Sequence, residues 1–360
     1  MDTVAPKPLN ERQLLRLALD TIRARLPPTW SVEEEPVKRN IAIDLSATLR
    51  APDGRRKRLL IEAKTLLNTR DVPLLAQRVL SFEPAAVDAT RIVAARYLSP
   101  RAREALSAAG ISYVDATGNA SIKIDDPAVF VETAGSTSDP WRTPDRPTNS
   151  LRGRPAARVV RALADMPPPW KVRELAGAAG TSLGSTARTL DFLDREALIR
   201  RDPSGTITTV EWEALIQRWA ADYDVARSRR VVRLIEPRGI ERVEPVLQKA
   251  DVEYAISGSL AARRRAEYAE PRLALVYTDE PDRVTEKLAL RESDVRSNVV
   301  IVEPQDDLPF LRSWSDAGIH YAALPQVAVD LLSGPGRNPE EGKALLRGMR
   351  QSEAQWRTRT

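Results

Sequence analysis

The chain has 360 residues, with 55 Lys and Arg against 50 Asp and Glu and a formal net charge of +5. That length suits two or three domains rather than one core, and the mild basic excess favours a polyanionic partner without demanding one. Cysteine is absent and His320 is the sole histidine, which removes disulfides, thiolate zinc sites, cysteine nucleophiles and most Ser-His-Asp chemistry. Met1 to Asn10 lacks the apolar core of a signal segment and no run approaches a membrane span, so a cytoplasmic protein with no membrane partner is expected.

Asn10 is placed to cap a helix running to Leu26, with Leu14, Leu15, Ala18, Leu19 and Ile22 as its buried stripe, and Pro27-Pro28 ends it. Strand patterns follow at Ile41 to Leu49 and Arg58 to Lys64, separated by the turn Pro52-Asp53-Gly54. A helix over Val72 to Glu83, a strand over Arg91 to Ala95, a helix over Pro100 to Ala109 and strands at Ile111 to Val114, Ser121 to Ile124 and Val129 to Glu132 complete residues 1–135. Helices interleaved with strands in this order imply an α/β domain with a mixed sheet.

Period-two alternation turns Ile41, Ile43, Leu45, Ala47 and Leu49 to one side of their strand and Asp44 to the other. Glu62 and Lys64 likewise share a face, opposite Ile61 and Ala63. If the two strands pair, Asp44, Glu62 and Lys64 converge at one sheet edge. Two carboxylates can then hold Mg²⁺, and an ammonium beside them can position or deprotonate a water for attack on phosphate. Asp44 followed by Glu62-Ala63-Lys64, within this element order, resembles the PD-(D/E)XK nuclease superfamily. The resemblance implies a nuclease-like domain in which Asp44 and Glu62 are metal ligands and Lys64 is the catalytic lysine. Ile43 stands where the motif often has proline, and Glu11 and Glu104 are further acids that no spacing rule assigns. The alternative is an inactive nuclease fold kept as a platform for DNA contact or sensing.

Residues 136–153 form the core of a linker rich in Ser, Thr, Pro and Arg, in which Arg142, Arg146, Arg152 and Arg154 are placed to meet phosphates or simply solvent. The segment 154–223 carries a different pattern. Pro155 to Met166 has apolar residues at helical spacing and is stopped by Pro167-Pro168-Pro169. A short amphipathic helix over Lys171 to Ala179 ends at Gly180, and Thr181 or Ser182 caps a longer one to Leu198. Its apolar stripe is read as Leu183, Ala187, Leu190, Leu193 and Ala197, which leaves Ser185, Thr186, Arg188 and Thr189 facing outward. Arg200, Arg201, Asp202 and Gly205 then make a basic turn into a strand at Thr206 to Val210.

This order resembles the winged helix-turn-helix of transcription factors, and Leu190 to Arg201 (LDFLDREALIRR) looks like their third helix running into the wing. The resemblance implies double-stranded DNA as partner. Ser185, Thr186, Arg188 and Thr189 would reach base edges and phosphates in a major groove, and Arg200 and Arg201 the backbone.

Residues 224–360 alternate strands and helices, giving a third, α/β domain. Tyr254 to Ala262 (YAISGSLAA), Asn298 to Pro304 (NVVIVEP), Leu324 to Leu332 (LPQVAVDLL) and Gly336-Arg337 resemble the C-terminal region of AbiEi-type antitoxins. That implies a DNA-binding regulator or an antitoxin, with a cognate toxin or a second copy of the chain as protein partner. Gly258-Ser259 resembles a nucleotidyltransferase loop, yet Leu273 to Tyr277 lacks the two metal-binding acids such enzymes need. Gly336 to Lys343 fails as a phosphate loop, because Ala344 replaces the Ser or Thr that would bind the metal. The expectation is a sequence-specific transcriptional regulator. The alternatives are a Mg²⁺-dependent endonuclease targeted by its winged helix and an antitoxin silencing its own operon.

Overall fold

The computed structural model describes residues 8–36, 43–80, 88–141, 150–265, 270–293 and 297–359, with the side chains of 78–80 excepted. Ile41, Arg142 and Arg146, and the end of the helix expected to reach Glu83, lie outside the described residues. Two compact units divide the chain, one of Met1–Arg146 with Arg195–Ala197 and one of Pro147–Asp194 with Leu198–Thr360.

In the first unit, helix α1 (Glu11–Arg23) starts at a reciprocal cap, in which Gln13 N donates to Asn10 Oδ1 and Asn10 N to Gln13 Oε1, both at 2.9 Å. Leu14, Ala18, Leu19 and Ile22 form its buried stripe. Strands β1 (Ser31–Glu35), β2 (Leu45–Arg50) and β3 (Arg56–Lys64) run antiparallel. Helix α2 (Val72–Leu80) leads to β4 (Thr90–Ala95), and α3 (Pro100–Ala108) leads to β5 (Ser112–Asp115), so β3, β4 and β5 are parallel. The antiparallel pair β6 (Ala120–Ile124) and β7 (Val129–Thr133) completes a sheet ordered as in the sequence. Alternation along β4 shows the layering: Ile92 and Ala94 pack with the α1 stripe, while Val93 and Ala95 pack with α2 and α3. The sheet is therefore covered on both faces where its strands are parallel.

The second unit opens with Leu151, fully buried, whose N–H donates to Asp222 Oδ2 at 2.7 Å. Helix α4 (Arg154–Asp165) is followed by Trp170, whose backbone pairs with Ile207 through two 2.9 Å hydrogen bonds. Helix α5 (Val172–Ala179) closes on Gly180 in the left-handed region (φ 60°), and α6 (Leu183–Arg195) follows. Strands β8 (Ile199–Arg201) and β9 (Ile207–Val210) make a hairpin, and α7 (Trp212–Ala220) leaves it.

A second mixed sheet holds β10 (Arg230–Ile235), β11 (Ala255–Ser257), β12 (Ala274–Tyr277), β13 (Arg291–Glu292), β14 (Val299–Glu303), β15 (Trp314–Asp316) and β16 (Ile319–Tyr321), in the order β13-β10-β14-β12-β11-β16-β15. Helices α8 (Val243–Gln248), α9 (Gly258–Ala262), α10 (Pro281–Leu288), α11 (Leu324–Leu332), α12 (Asn338–Gln351) and α13 (Glu353–Trp356) accompany it. One hydrophobic cluster runs without a break from Val159, Leu163, Leu190 and Trp219 to Val276, Ile301, Val327 and Leu345. The helical segment and the sheet that follows it thus share a core.

Candidate nucleic-acid interface

The roll of α6 decides which side chains a partner can meet. Thr186, Thr189, Leu190, Phe192 and Leu193 are buried, whereas Leu183, Gly184, Arg188 and Asp191 are exposed. The two threonines therefore do not belong to the outward face expected of them. Each hydroxyl is satisfied inside the helix, Thr186 Oγ1 donating to Ser182 O at 3.0 Å and Thr189 Oγ1 to Ser185 O at 2.9 Å, so the methyl groups enter the core without stranding a polar atom. Leu183, expected inside, is 47% exposed.

Ser185 is half-buried and holds Arg188, whose Nη2 donates to Ser185 Oγ at 3.2 Å. Gly184 leaves room for that guanidinium: a Cβ there would lie 3.5 Å from Arg188 Nη1. Arg188 is thus drawn back along the helix towards its first turn, over Gly184.

The hairpin separates its two arginines. Arg200 is 73% exposed, with only a long 3.5 Å contact to Glu211. Arg201 is 24% exposed and bound to Asp191 of α6 at 3.0 Å. Neither lies in the turn itself, since both are on β8; Asp202 Oδ1 organises the turn by accepting from Ser204 Oγ at 2.6 Å and Thr206 N at 2.9 Å. The Ser204 hydrogen bond, with Thr206 N–H next, holds the Asp202 carboxyl below its ordinary range. Arg201 therefore fastens hairpin to helix, and Arg200 is the cation left outward. Of the linker arginines that are described, Arg152 pairs with Asp222 and Arg154 with Asp306.

A buried polar chain joins α4 to the second sheet. Arg161, 1% exposed, pairs with Asp165 at 3.0 Å and donates to Leu308 O at 3.0 Å, Leu311 O at 2.8 Å and Gln326 Oε1 at 3.0 Å. Gln326 Nε2 continues to Tyr223 OH and Asp330 Oδ1, each at 3.0 Å. Asp330 also accepts from Ser257 Oγ at 2.5 Å and Tyr277 OH at 2.7 Å. Burial pushes the Asp330 carboxyl up to about 6, against these hydrogen bonds, which favour its charged form. Arg357 closes the C-terminal end of α4, donating to Leu163 O at 2.9 Å and Ala164 O at 3.0 Å. Beside this chain a cleft of about 120 Å³ is bordered by Leu151, Trp219, Tyr223, Tyr277, Leu308 and Gln326.

In the first unit, Asp44 lies just before β2 and is held to β3: its N donates to Ile61 O at 3.2 Å and its Oδ2 accepts from Ala63 N at 2.8 Å. Lys64 Nζ is ion-paired to Glu62 Oε1. Register sets Glu62 beside Val93, hence on the α2 and α3 face. The three residues lie at the carboxyl end of β3, and not at a sheet edge, because β1 pairs outside β2. No group of three or more His, Asp or Glu side chains gathers for a metal among the described residues, so neither Glu11 nor Glu104 joins the pair.

Asp115, which no sequence pattern singled out, is buried and accepts from Leu98 N, Thr117 N, Thr117 Oγ1, Asn119 N and Asn119 Nδ2, at 2.7 to 3.1 Å. It organises the β5–β6 turn. In the second sheet, β12 is wholly buried and carries no acid, Ser257 is taken by Asp330 and Ser259 by Glu341. His320 is exposed, edge-on to Tyr254 at 5.7 Å.

Residues 201–348 match the family model described as transcriptional regulator, AbiEi antitoxin, of a type IV toxin–antitoxin system. This AbiEi match takes in the second sheet, α11 and most of α12, and begins within β8. All four C-terminal motifs of the sequence reading fall inside it. Helices α4, α5 and α6 and the whole first unit fall outside. No curated protein and no solved structure matches the chain. Among the described residues, no helix is long and apolar enough to cross a membrane.

Proposed function

We propose that the chain is a sequence-specific double-stranded DNA-binding protein that regulates transcription, and that α6 is its DNA-reading helix. The observation that carries this reading is the exposed face of α6, where Arg188 is oriented by Ser185 across Gly184 and the outward cation Arg200 stands on the adjoining hairpin. Three helices, a strand residue between the first two, and a hairpin after the third follow the order of a winged helix-turn-helix. Arg188 suits a base edge, and Arg200 suits phosphate. The AbiEi match supports a regulatory role and brings with it the antitoxin alternative, in which a cognate toxin or a second copy of the chain would be the protein partner. Selection of duplexes from a random pool by the full chain tests the reading. An enriched sequence that Arg188→Ala no longer prefers is expected; a pool that stays random would overturn it.

The juxtaposition of Asp44, Glu62 and Lys64 supports a second reading, a Mg²⁺-dependent endonuclease on the PD-(D/E)XK pattern. Mg²⁺ at phosphate sites is held by one or two carboxylates together with substrate oxygens, so two acids are compatible with it. Asp44 and Glu62 would hold the cation, which would offset charge at the phosphate, and Lys64 would orient the water. The regulator is preferred because the Lys64 ammonium is already spent on Glu62.

A further inference from the structure

We propose that Leu183 reads the C5 methyl group of a thymine in the major groove, beside the base that Arg188 contacts; the inference rests on the reading of α6 as the DNA-reading helix. A leucine 47% exposed in the first turn of a helix is a cost to the free protein. Gly184 beside it and Ala187 one turn on are small, and Leu183 stays exposed. Thr186, Thr189, Leu190 and Leu193 are locked in the core, so the helix cannot roll Leu183 inward.

The surroundings select the occupant. Arg188 lies across Gly184 towards the same turn, so the exposed leucine and a guanidinium share the first turn of α6, and Arg200 adds an outward cation on the hairpin that follows the helix. That combination suits an apolar group displayed on a polyanion. In the major groove the thymine methyl is such a group, and it sits among the acceptor atoms that an arginine contacts. Asp191, the acid on this face, is neutralised by Arg201 and does not oppose the approach. Small Ala187 one turn on leaves space for the base edge to come close.

The test uses the duplex selected by the full chain, remade with each thymine replaced in turn by deoxyuridine, which lacks only the methyl. Dissociation constants are measured for the wild type, Leu183→Ala and Leu183→Met. Deoxyuridine at one or two positions should weaken the wild type about fourfold, the factor that burial of one methyl group supplies. Leu183→Ala should bind thymine and uracil duplexes alike, and Leu183→Met should regain the difference. Wild type that tolerates deoxyuridine everywhere while still choosing its site, or Leu183→Ala that discriminates as wild type does, overturns the assignment and leaves α6 as the DNA-reading helix. A random pool with no enriched duplex overturns both.

Discussion

Replacing Arg161 by Met should destabilise the second unit more than any surface change, by an amount that grows with pH. Arg161 and Asp165 are 1% and 5% exposed and doubly hydrogen-bonded, and Arg161 also donates to Leu308 O, Leu311 O and Gln326. Removing one partner of such a pair costs about 3–5 kcal/mol, because the other charge stays buried and unpaired. For a unit of this size each kcal/mol lowers the melting temperature by about 2–4 °C, so a drop on the order of 10 °C is expected. Burial already raises the Asp165 carboxyl above its ordinary range, and Arg161 is the main influence lowering it. Without Arg161 the folded-state value rises further. A raised carboxyl retains its stability below the unfolded value and loses it as pH rises through the folded one, so the deficit should grow as pH rises above the ordinary carboxylate range. Arg161→Met/Asp165→Leu should recover most of the loss. Thermal unfolding across pH checks this. A single variant within about 1 kcal/mol of wild type, or a double variant as unstable as the single, would refute the reasoning.

Asp330→Asn should flatten the pH dependence of stability. The wild-type carboxyl is raised to about 6, so its contribution is intact below about pH 4 and falls by about 3 kcal/mol by neutral pH; denaturant unfolding at both ends measures the difference. Thr189→Val should leave duplex affinity unchanged, because the threonine is buried and bonded to its own helix, and anisotropy titration with folded protein is the check. On the regulator reading, supercoiled plasmid incubated with Mg²⁺ or Mn²⁺ stays uncut; cleavage that is lost in Lys64→Ala would shift the assignment to the nuclease.

Much of the fold was legible because the apolar spacing is regular. Leu14, Ala18, Leu19 and Ile22 define α1, and prolines and glycines bound α4 and α5. Strand β1 was missed: it reads Ser-Val-Glu-Glu-Glu, with Val32 alone turned inward, and an edge strand of that kind is held by partners on β2, Glu35 with Thr48 and Glu33 with Arg50. The roll of α6 was misjudged for a chemical reason. Threonine counts as polar in a pattern, but one whose hydroxyl bonds to its own helix packs as an apolar residue, and an exposed leucine breaks the pattern from the other side. Asp44, Glu62 and Lys64 were drawn together by strand alternation alone, since two paired strands suffice to fix their face. Arg161 carried no signal, because a charged residue on a helix ordinarily faces water, its pair with Asp165 reads as a surface i, i+4 pair, and its other partners lie some 150 residues away in the chain.

On the proposed reading, the exposed face of α6 reads base sequence while the hairpin supplies charge. The most direct measurement of this is the affinity of wild type, Arg188→Ala and Arg200→Ala for the selected duplex and a scrambled one, across a range of salt. Arg188→Ala should lose about 1–3 kcal/mol on the selected duplex and almost nothing on the scrambled one. Arg200→Ala should weaken both alike and reduce the salt slope by about 1. Folded Arg188→Ala that binds the selected duplex as tightly as wild type does would contradict the account.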